Sequence, residues 1–270
     1  MTTSDAIDIR GSDSEVSLVE RLAEAFMAEQ PQVAISVTGG GSGVGIAALL
    51  DGTIDLCTSS RELEPIERLL ALRKRVELRA TVFATDALSI VVHADNPIAA
   101  LDLDTLGRMY RGELTRWPGR ERAIVCYGRQ SSSGTYAFFE HAVVQGDHAD
   151  TVRQLAGNAH VLDAVARDVD GIGYVAVGML AAAGDSLRAV PILDAQGQAI
   201  SPRDREAVLA GRYPIARPLL QLTRGPASGR VREFLRFELS ERGQAIVESM
   251  GFYPVAYAWR GRNRHLGDIA

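Results

Sequence analysis

A two-lobed α/β protein is what this sequence of 270 residues predicts, on three observations. Strand-like and helix-like apolar periodicities alternate along almost the whole chain, the pattern of a mainly parallel sheet covered on both faces. Two extended stretches, near residues 85–92 and 212–220, break that alternation in the manner of connections between two bodies. Three Gly/Ser-rich segments each separate a strand end from an amphipathic helix. The first lobe is then discontinuous, residues 1–88 and 217–270, with residues 89–216 as the second; a single long domain is the alternative. Hydrophobic residues at 46% and charged residues at 23% give ample material for cores.

The elements follow in order. "IDIRG" is a short strand, and Leu18, Leu22 and Phe26, four apart, mark one face of a helix that stops before Pro31. "VAISV" is the next strand; a glycine-rich loop leads into a helix carrying Ile46, Leu49 and Leu50 and closed by Gly52. "TIDLC" is a strand, and Pro65 suits the first turn of the helix after it. "LRATVFA" and "ALSIVVHA" are β-rich. "LDLDTLGRMYRGELTRWPG" reads as a short helix and turn before the strand "AIVCY", and a helix follows with Phe138, Phe139 and Val143. "GIGYVAVGML" is a strand entering a helix, "LRAVPI" a strand, and the proline-marked "AGRYPIARPLLQLT" an extended crossing. From "GRVREFLRFELSERGQAIVESMGF" onward the pattern is helical.

A net charge of −5 argues against nucleic acid as a partner. No run of eighteen apolar residues is present to span a membrane. The N-terminal "MTTSDAIDIRGSD" shows no signal peptide, which fits a cytoplasmic protein or one whose leader has been removed. Cys57 and Cys126, far apart in strand-like runs, read as buried free thiols and are too few for a structural zinc site. The five histidines form no H-E-x-x-H pair and read as solvated surface residues; no metal or cofactor is expected.

The three polar helix starts, "RGSDSEVSLVE", "TGGGSGVGIAALL" and "RQSSSGTYAFFEH", carry the functional signal. Unpaired amides at a helix start and the helix dipole together favour an anion, and glycine lets the backbone approach it. The plain reading is that each Ser or Asp is an ordinary N-cap; three such starts in one chain suggest more. A dianion such as phosphate needs a donor for nearly every oxygen. Hydroxyls of Ser14, Ser42, Ser60, Ser133 and Thr135 offer such donors, and Arg129 adds a charge-assisted fork or, otherwise, pairs with a surface carboxylate. Arg61 either faces the anion or braces a carboxylate.

Enzyme readings lack their parts. No G-x-x-x-x-G-K-[ST] is present; "GVGIAA" (43–48) matches G-x-G-x-x-A but lies too far beyond its strand and lacks an acidic ribose partner. No serine sits in G-x-S-x-G, and no general base stands beside a nucleophile. The pattern is one of binding.

Taken together, "GSDS", "GGGSGVGIAALLDGTIDLCTSSR", "GELTRW", "RQSSSGT" and "GIGYVAVGML" resemble, in order and over most of the chain, the phosphate-binding proteins of ABC transporters. The resemblance implies the two-lobed type II periplasmic-binding-protein fold with a two-stranded hinge that closes on one inorganic phosphate in the cleft. It further implies a membrane permease as partner, an extracytoplasmic monomer, and no catalysis. The implied ligands are Asp13, Ser14, Ser42 and Ser60 from the first lobe and Arg129, Ser133, Gly134 and Thr135 from the second. Ser60 and Ser131 stand where some family members carry acidic residues, which leaves Asp13 as the acceptor for a phosphate proton, unless it is a simple N-cap. A receptor or sensor for another tetrahedral oxyanion, an enzyme acting on a phosphorylated substrate, and a scaffold that has lost its ligand are the competing readings.

Overall fold

A computed structural model of the chain describes residues 6–117, 119 and 121–266. Its elements are β1 (Ala6–Gly11), α1 (Val16–Glu29), β2 (Ala34–Thr38), α2 (Ser42–Asp51), β3 (Leu56–Ser59), α3 (Pro65–Lys74) and β4 (Leu78–Ala87). There follow β5 (Ser89–His93), α4 (Leu103–Tyr110), β6 (Val125–Arg129), α5 (Gly134–Phe139, continued by a π-helical turn, Glu140–Val144), β7 (Arg153–Leu155), α6 (Asn158–Ala166) and β8 (Gly171–Val175). Then come β9 (Leu187–Val190), β10 (Ile192–Leu193), β11 (Ala199–Ile200), α7 (Arg205–Leu209), β12 (Ala216–Arg224), α8 (Gly229–Leu239), α9 (Glu241–Ser249) and α10 (Tyr257–Arg260). The chain forms two compact units: Met1–Thr85 with Ser132–Gly134 and Pro218–Ala270, and Asp86–Ser131 with Thr135–Arg217. The first and last residues of the expected first lobe, 1–5 and 267–270, lie outside the described residues.

In unit 1 the sheet order is β2-β1-β3-β12-β4. β1 runs parallel to β2 and β3, as successive β-α-β crossovers require. β12 is antiparallel to β3, so the sheet is mixed rather than mainly parallel. The reason is connectivity: β12 enters from the other unit with no crossover helix to turn it. Behind the sheet the α1 residues Leu18, Val19, Leu22 and Phe26 are buried. Phe26 packs edge-on to Phe234 of α8 at 5.4 Å between ring centres. On the other side α2 supplies Ile46, Leu49 and Leu50 to a cluster with Cys57, Val82 and Leu222.

Two carboxylates lie in this unit's interior. Glu15 and Glu238 are both fully buried. Glu238 accepts a hydrogen bond from Gln221 Nε2 at 2.7 Å. Burial, with the nearby negative charge of Glu15 adding to it, pushes the Glu238 carboxyl well above its ordinary 4.5. A raised folded-state value favours folding fully below the unfolded value and loses that contribution as pH rises through the folded one. Glu238→Gln is therefore expected to raise Tm at neutral and alkaline pH and to leave it unchanged in acid below about pH 4. Thermal unfolding across pH checks this; a lower Tm for the variant at pH 8 would refute it.

In unit 2 the order is β7-β6-β8-β5-β9, again mixed: β6 is parallel to β7 and β8, whereas β5 is antiparallel to β8 and β9. Tyr174 of β8 stacks on Phe139 of α5 at 4.0 Å, and Tyr110 of α4 meets Phe139 edge-on at 4.7 Å. α6 was not among the elements expected, although Val161, Leu162 and Val165 give it a buried face. The surface reading of the histidines fails for His148, whose side chain is 3% exposed beside Glu140 and stacks on Tyr136. Burial holds its imidazole below the ordinary value.

Candidate anion site

The polar helix starts of unit 1 sit where β-α-β units place ligands, beyond the carboxyl ends of parallel strands. Gly11 ends β1 opposite Thr58 of β3. The Ser12 amide donates to Thr58 O and the Gly41 amide to Gly11 O, which draws three loops to one point. N-capping does not account for these segments. The cap positions of α1 and α2 are Glu15 and Gly41, and neither makes a side-chain cap bond. Asp102 and Ser240, by contrast, cap their helices in the ordinary way.

A chain of buried hydroxyls occupies this point. Ser12 Oγ donates to Ser60 Oγ at 3.0 Å, and the Ser60 amide donates to Ser42 Oγ at 3.2 Å. Ser42 and Ser60 are fully buried, Ser14 and Ser133 nearly so. Gly134 lies against the same hydroxyls: a Cβ there would stand 2.1 Å from Ser42 Oγ and 2.7 Å from Ser60 Oγ. Only a bare backbone fits. Ser133 and Gly134 fall within unit 1.

Asp13 takes a specific position. Its Oδ1 accepts the Gly40 amide at 2.7 Å, so it braces the glycine loop and is not the N-cap of α1. Arg61 braces a carboxylate: Nη1 and Nη2 each lie 2.7 Å from an oxygen of Glu67, whose Oε2 also accepts the Glu64 amide at the start of α3.

Unit 2 carries Arg129 and Thr135, both buried. Arg129 ends β6; its amide donates to the Tyr174 hydroxyl and its Nη2 to Ala156 O, 3.1 and 3.0 Å away. Thr135 is the second residue of α5, and its Oγ1 accepts from Arg217 Nη2 at 3.1 Å. Arg217 in turn pairs with Asp86, both side chains fully buried.

Sequence reasoning passed over Ser12, Asp86 and Arg217. The first was visible inside "GSDS"; the other two are lone charges in the apolar strands "ATDALS" and "IARPLL", a pattern that calls for pairing if buried. Cys57 and Cys126 are free and buried, and burial pushes their thiols up, Cys126 to about 12. Neither is a thiolate nucleophile at neutral pH. Among the described residues no cluster of three His, Cys, Asp or Glu side chains is placed to hold a metal, and no helix is long and apolar enough to cross a membrane.

Residues 1–242 match the model of the PBP superfamily domain, and the chain belongs to that superfamily. It is 29% identical to the phosphate-binding protein PstS of Pseudomonas aeruginosa, over 91% of this chain and 81% of the relative. PstS of Staphylococcus haemolyticus is 27% identical over 88% and 78%. A crystal structure from Clostridium perfringens, assigned as a phosphate ABC transporter substrate-binding protein with bound phosphate, superposes with a TM-score of 0.82. That pair is 27% identical and covers 93% of this chain and 99% of the other. An ABC-type phosphate transport receptor from Vibrio cholerae gives 0.74 at 26% identity, over 92% and 99%. The resemblance read from the motifs is thereby borne out, and the two α/β units have the type II periplasmic-binding-protein fold.

Proposed function

We propose that the chain is the phosphate-binding component of an ABC-type phosphate importer, an extracytoplasmic monomer that delivers inorganic phosphate to a membrane permease. Its proposed ligand set is Asp13, Ser14, Ser42, Ser60, Arg129, Ser133, Gly134 and Thr135. The observation that carries this reading is the buried hydroxyl cluster of Ser12, Ser42 and Ser60 with the Gly134 backbone against it. Such a cluster offers small donors at fixed positions and no bulk, which suits a compact tetrahedral anion. Relatives and solved neighbours named for phosphate support the same reading. A binding role is favoured because most of the proposed ligands are hydroxyls, backbone amides and a guanidinium, which are donors to an anion.

Thermal unfolding and titration calorimetry with phosphate, sulfate and arsenate test the proposal. A ligand at a hundred times its Kd adds about 2.7 kcal/mol. For a chain of this size that is a rise of roughly 5–10 °C in Tm. Phosphate is expected to give it; no heat and no shift would overturn the reading.

Asp13 supplies the selectivity. Phosphate carries a proton near neutral pH and sulfate carries none, so a carboxylate pairs with one and repels the other. Asp13→Asn keeps an oxygen for the Gly40 amide and removes the charge. Asp13 is half-buried, so solvent screens part of the repulsion and the phosphate-over-sulfate preference is expected to fall several-fold. Calorimetry with both anions reads the ratio; an unchanged ratio would assign Asp13 to loop bracing alone.

A further inference from the structure

We propose that α3 is a membrane-contact helix, which lays Ile66, Leu69, Leu70 and Leu72 into the surface of an anionic bilayer while its arginines meet the lipid phosphates. A helix on a protein surface normally turns its apolar stripe to the core. α3 does the reverse. Of its ten residues only Ala71 is buried, and Glu67, one turn earlier on the same face, is tied to Arg61. Ile66 is 59% and Leu72 74% exposed, and Leu69 and Leu70 are exposed beside them. Positions 66, 69 and 70 are neighbours at i, i+3 and i+4, and 72 follows 69 at i+3, so the four side chains make one outward stripe.

Burial does little to hold this helix; its ends hold it. Pro65 occupies the first turn, Glu64 and Glu67 form a reciprocal capping box, and Arg75 closes the helix in the left-handed conformation with φ of 55°. A stiff helix is thus built where the core gains little from it, and its aliphatic face is left to water. Exposed apolar clusters of this kind mark interaction sites. Ten residues fall far short of a membrane span, so the helix lies on a bilayer and does not cross it.

Charge selects the occupant. Residues 61–80 hold six arginines and lysines against four glutamates, in a chain whose net charge is −5. The carboxylates around α3 are already answered: Glu62 by Arg262, Glu64 and Glu67 by Arg61, Glu77 by Arg79, and Asp51 by Lys74. Arg68 Nε donates to Leu63 O, and among the described residues neither it nor Arg73 or Arg75 pairs with a carboxylate. Arg68 and Arg75 stand one turn either side of Leu72, and Arg73 one turn beyond Leu69 and Leu70. Aliphatic side chains bordered by long-stemmed cations are the composition of a helix at the headgroup boundary of anionic lipid. A protein partner fits less well, because such interfaces depend on Trp and Tyr anchors, which the stripe lacks. A second copy across a twofold axis would bring like-charged arginines together, with their neighbouring carboxylates already engaged.

Sedimentation of the whole chain with lipid vesicles tests this, using phosphatidylcholine alone or phosphatidylcholine and phosphatidylglycerol in equal parts. Adsorption to the anionic vesicles and not to the neutral ones is expected, with release by salt. Arg73→Gln with Arg75→Gln is expected to weaken it roughly 25-fold, about fivefold for each cation. Leu69→Gln with Leu72→Gln is expected to weaken it roughly tenfold or more. Both double variants should leave Tm and phosphate affinity unchanged, because the altered side chains are exposed and outside the proposed ligand set. The outcome therefore stands apart from the phosphate reading. No adsorption, equal adsorption to neutral vesicles, or adsorption that both variants leave intact would overturn the proposal. A dimer without lipid that Leu69→Gln with Leu72→Gln turns to monomer would also overturn it, and would give the face to a second copy. A Tm lower by several degrees in that variant would overturn it too, by making the stripe structural.

Discussion

Arg129→Met is expected to weaken phosphate binding by roughly two to three and a half orders of magnitude, the largest effect of any single substitution at the proposed site. Arg129 is 1% exposed, at the end of β6. Its geometry is set by the Ala156 carbonyl at Nη2, and the β6 backbone beneath it by the Tyr174 hydroxyl. An oxyanion facing it gains a charge-assisted contact where water screens little. Removing one partner of a buried ion pair typically costs about 3–5 kcal/mol. That converts to the stated loss at 1.4 kcal/mol per decade. Met keeps the apolar volume of the side chain, so Tm without ligand is expected to hold or rise. Calorimetry and unfolding of the same samples decide it. A Tm that falls while phosphate affinity stays intact would make Arg129 structural.

Gly45→Ala carries the second large expectation, and it falls on stability. In an exposed helix this change would help by about 1 kcal/mol. Here a Cβ would stand 2.5 Å from Arg10 O, 2.7 Å from Gly11 Cα and 2.9 Å from Cys57 Sγ. Two of these atoms are backbone of β1 and cannot rotate away. Non-bonded atoms settle near 3.5–4.0 Å, so α2 has to retreat by roughly an ångström. Overpacking of this kind costs about 1–3 kcal/mol or more and outweighs the gain in helix propensity. A Tm lower by several degrees is expected. Weaker phosphate binding should accompany it, because Ser42 rides on the same helix. A Tm equal to or above that of the unaltered chain would refute the packing account.

Several features were legible because they depend on local chemistry. Apolar spacing at Leu18, Leu22 and Phe26 could only be a helix face, and Gly52 could close α2 in the left-handed region, as it does with φ of 72°. Arg61 could be narrowed to two roles but not assigned, because its partner Glu67 is chosen by the turn into α3. α6 was overlooked because its apolar face is short and no strong cap announces it: its N-cap, Gly157, offers no side chain. The mixed sheets were not legible either, since strand direction follows from where a strand arrives and not from its own residues.

By itself the sequence determined the periodicities, the three glycine- and serine-rich helix starts and the kind of chemistry they suit, because backbone freedom and side-chain donors are properties of residues in place. Only the tertiary structure decided which of them meet. Ser12, Ser42 and Ser60 lie up to 48 residues apart and share one hydrogen-bonded cluster. Asp86 finds Arg217 at a separation of 131. A buried polar group must find its partner wherever the fold delivers it, and the spacing of residues along the chain does not encode that address.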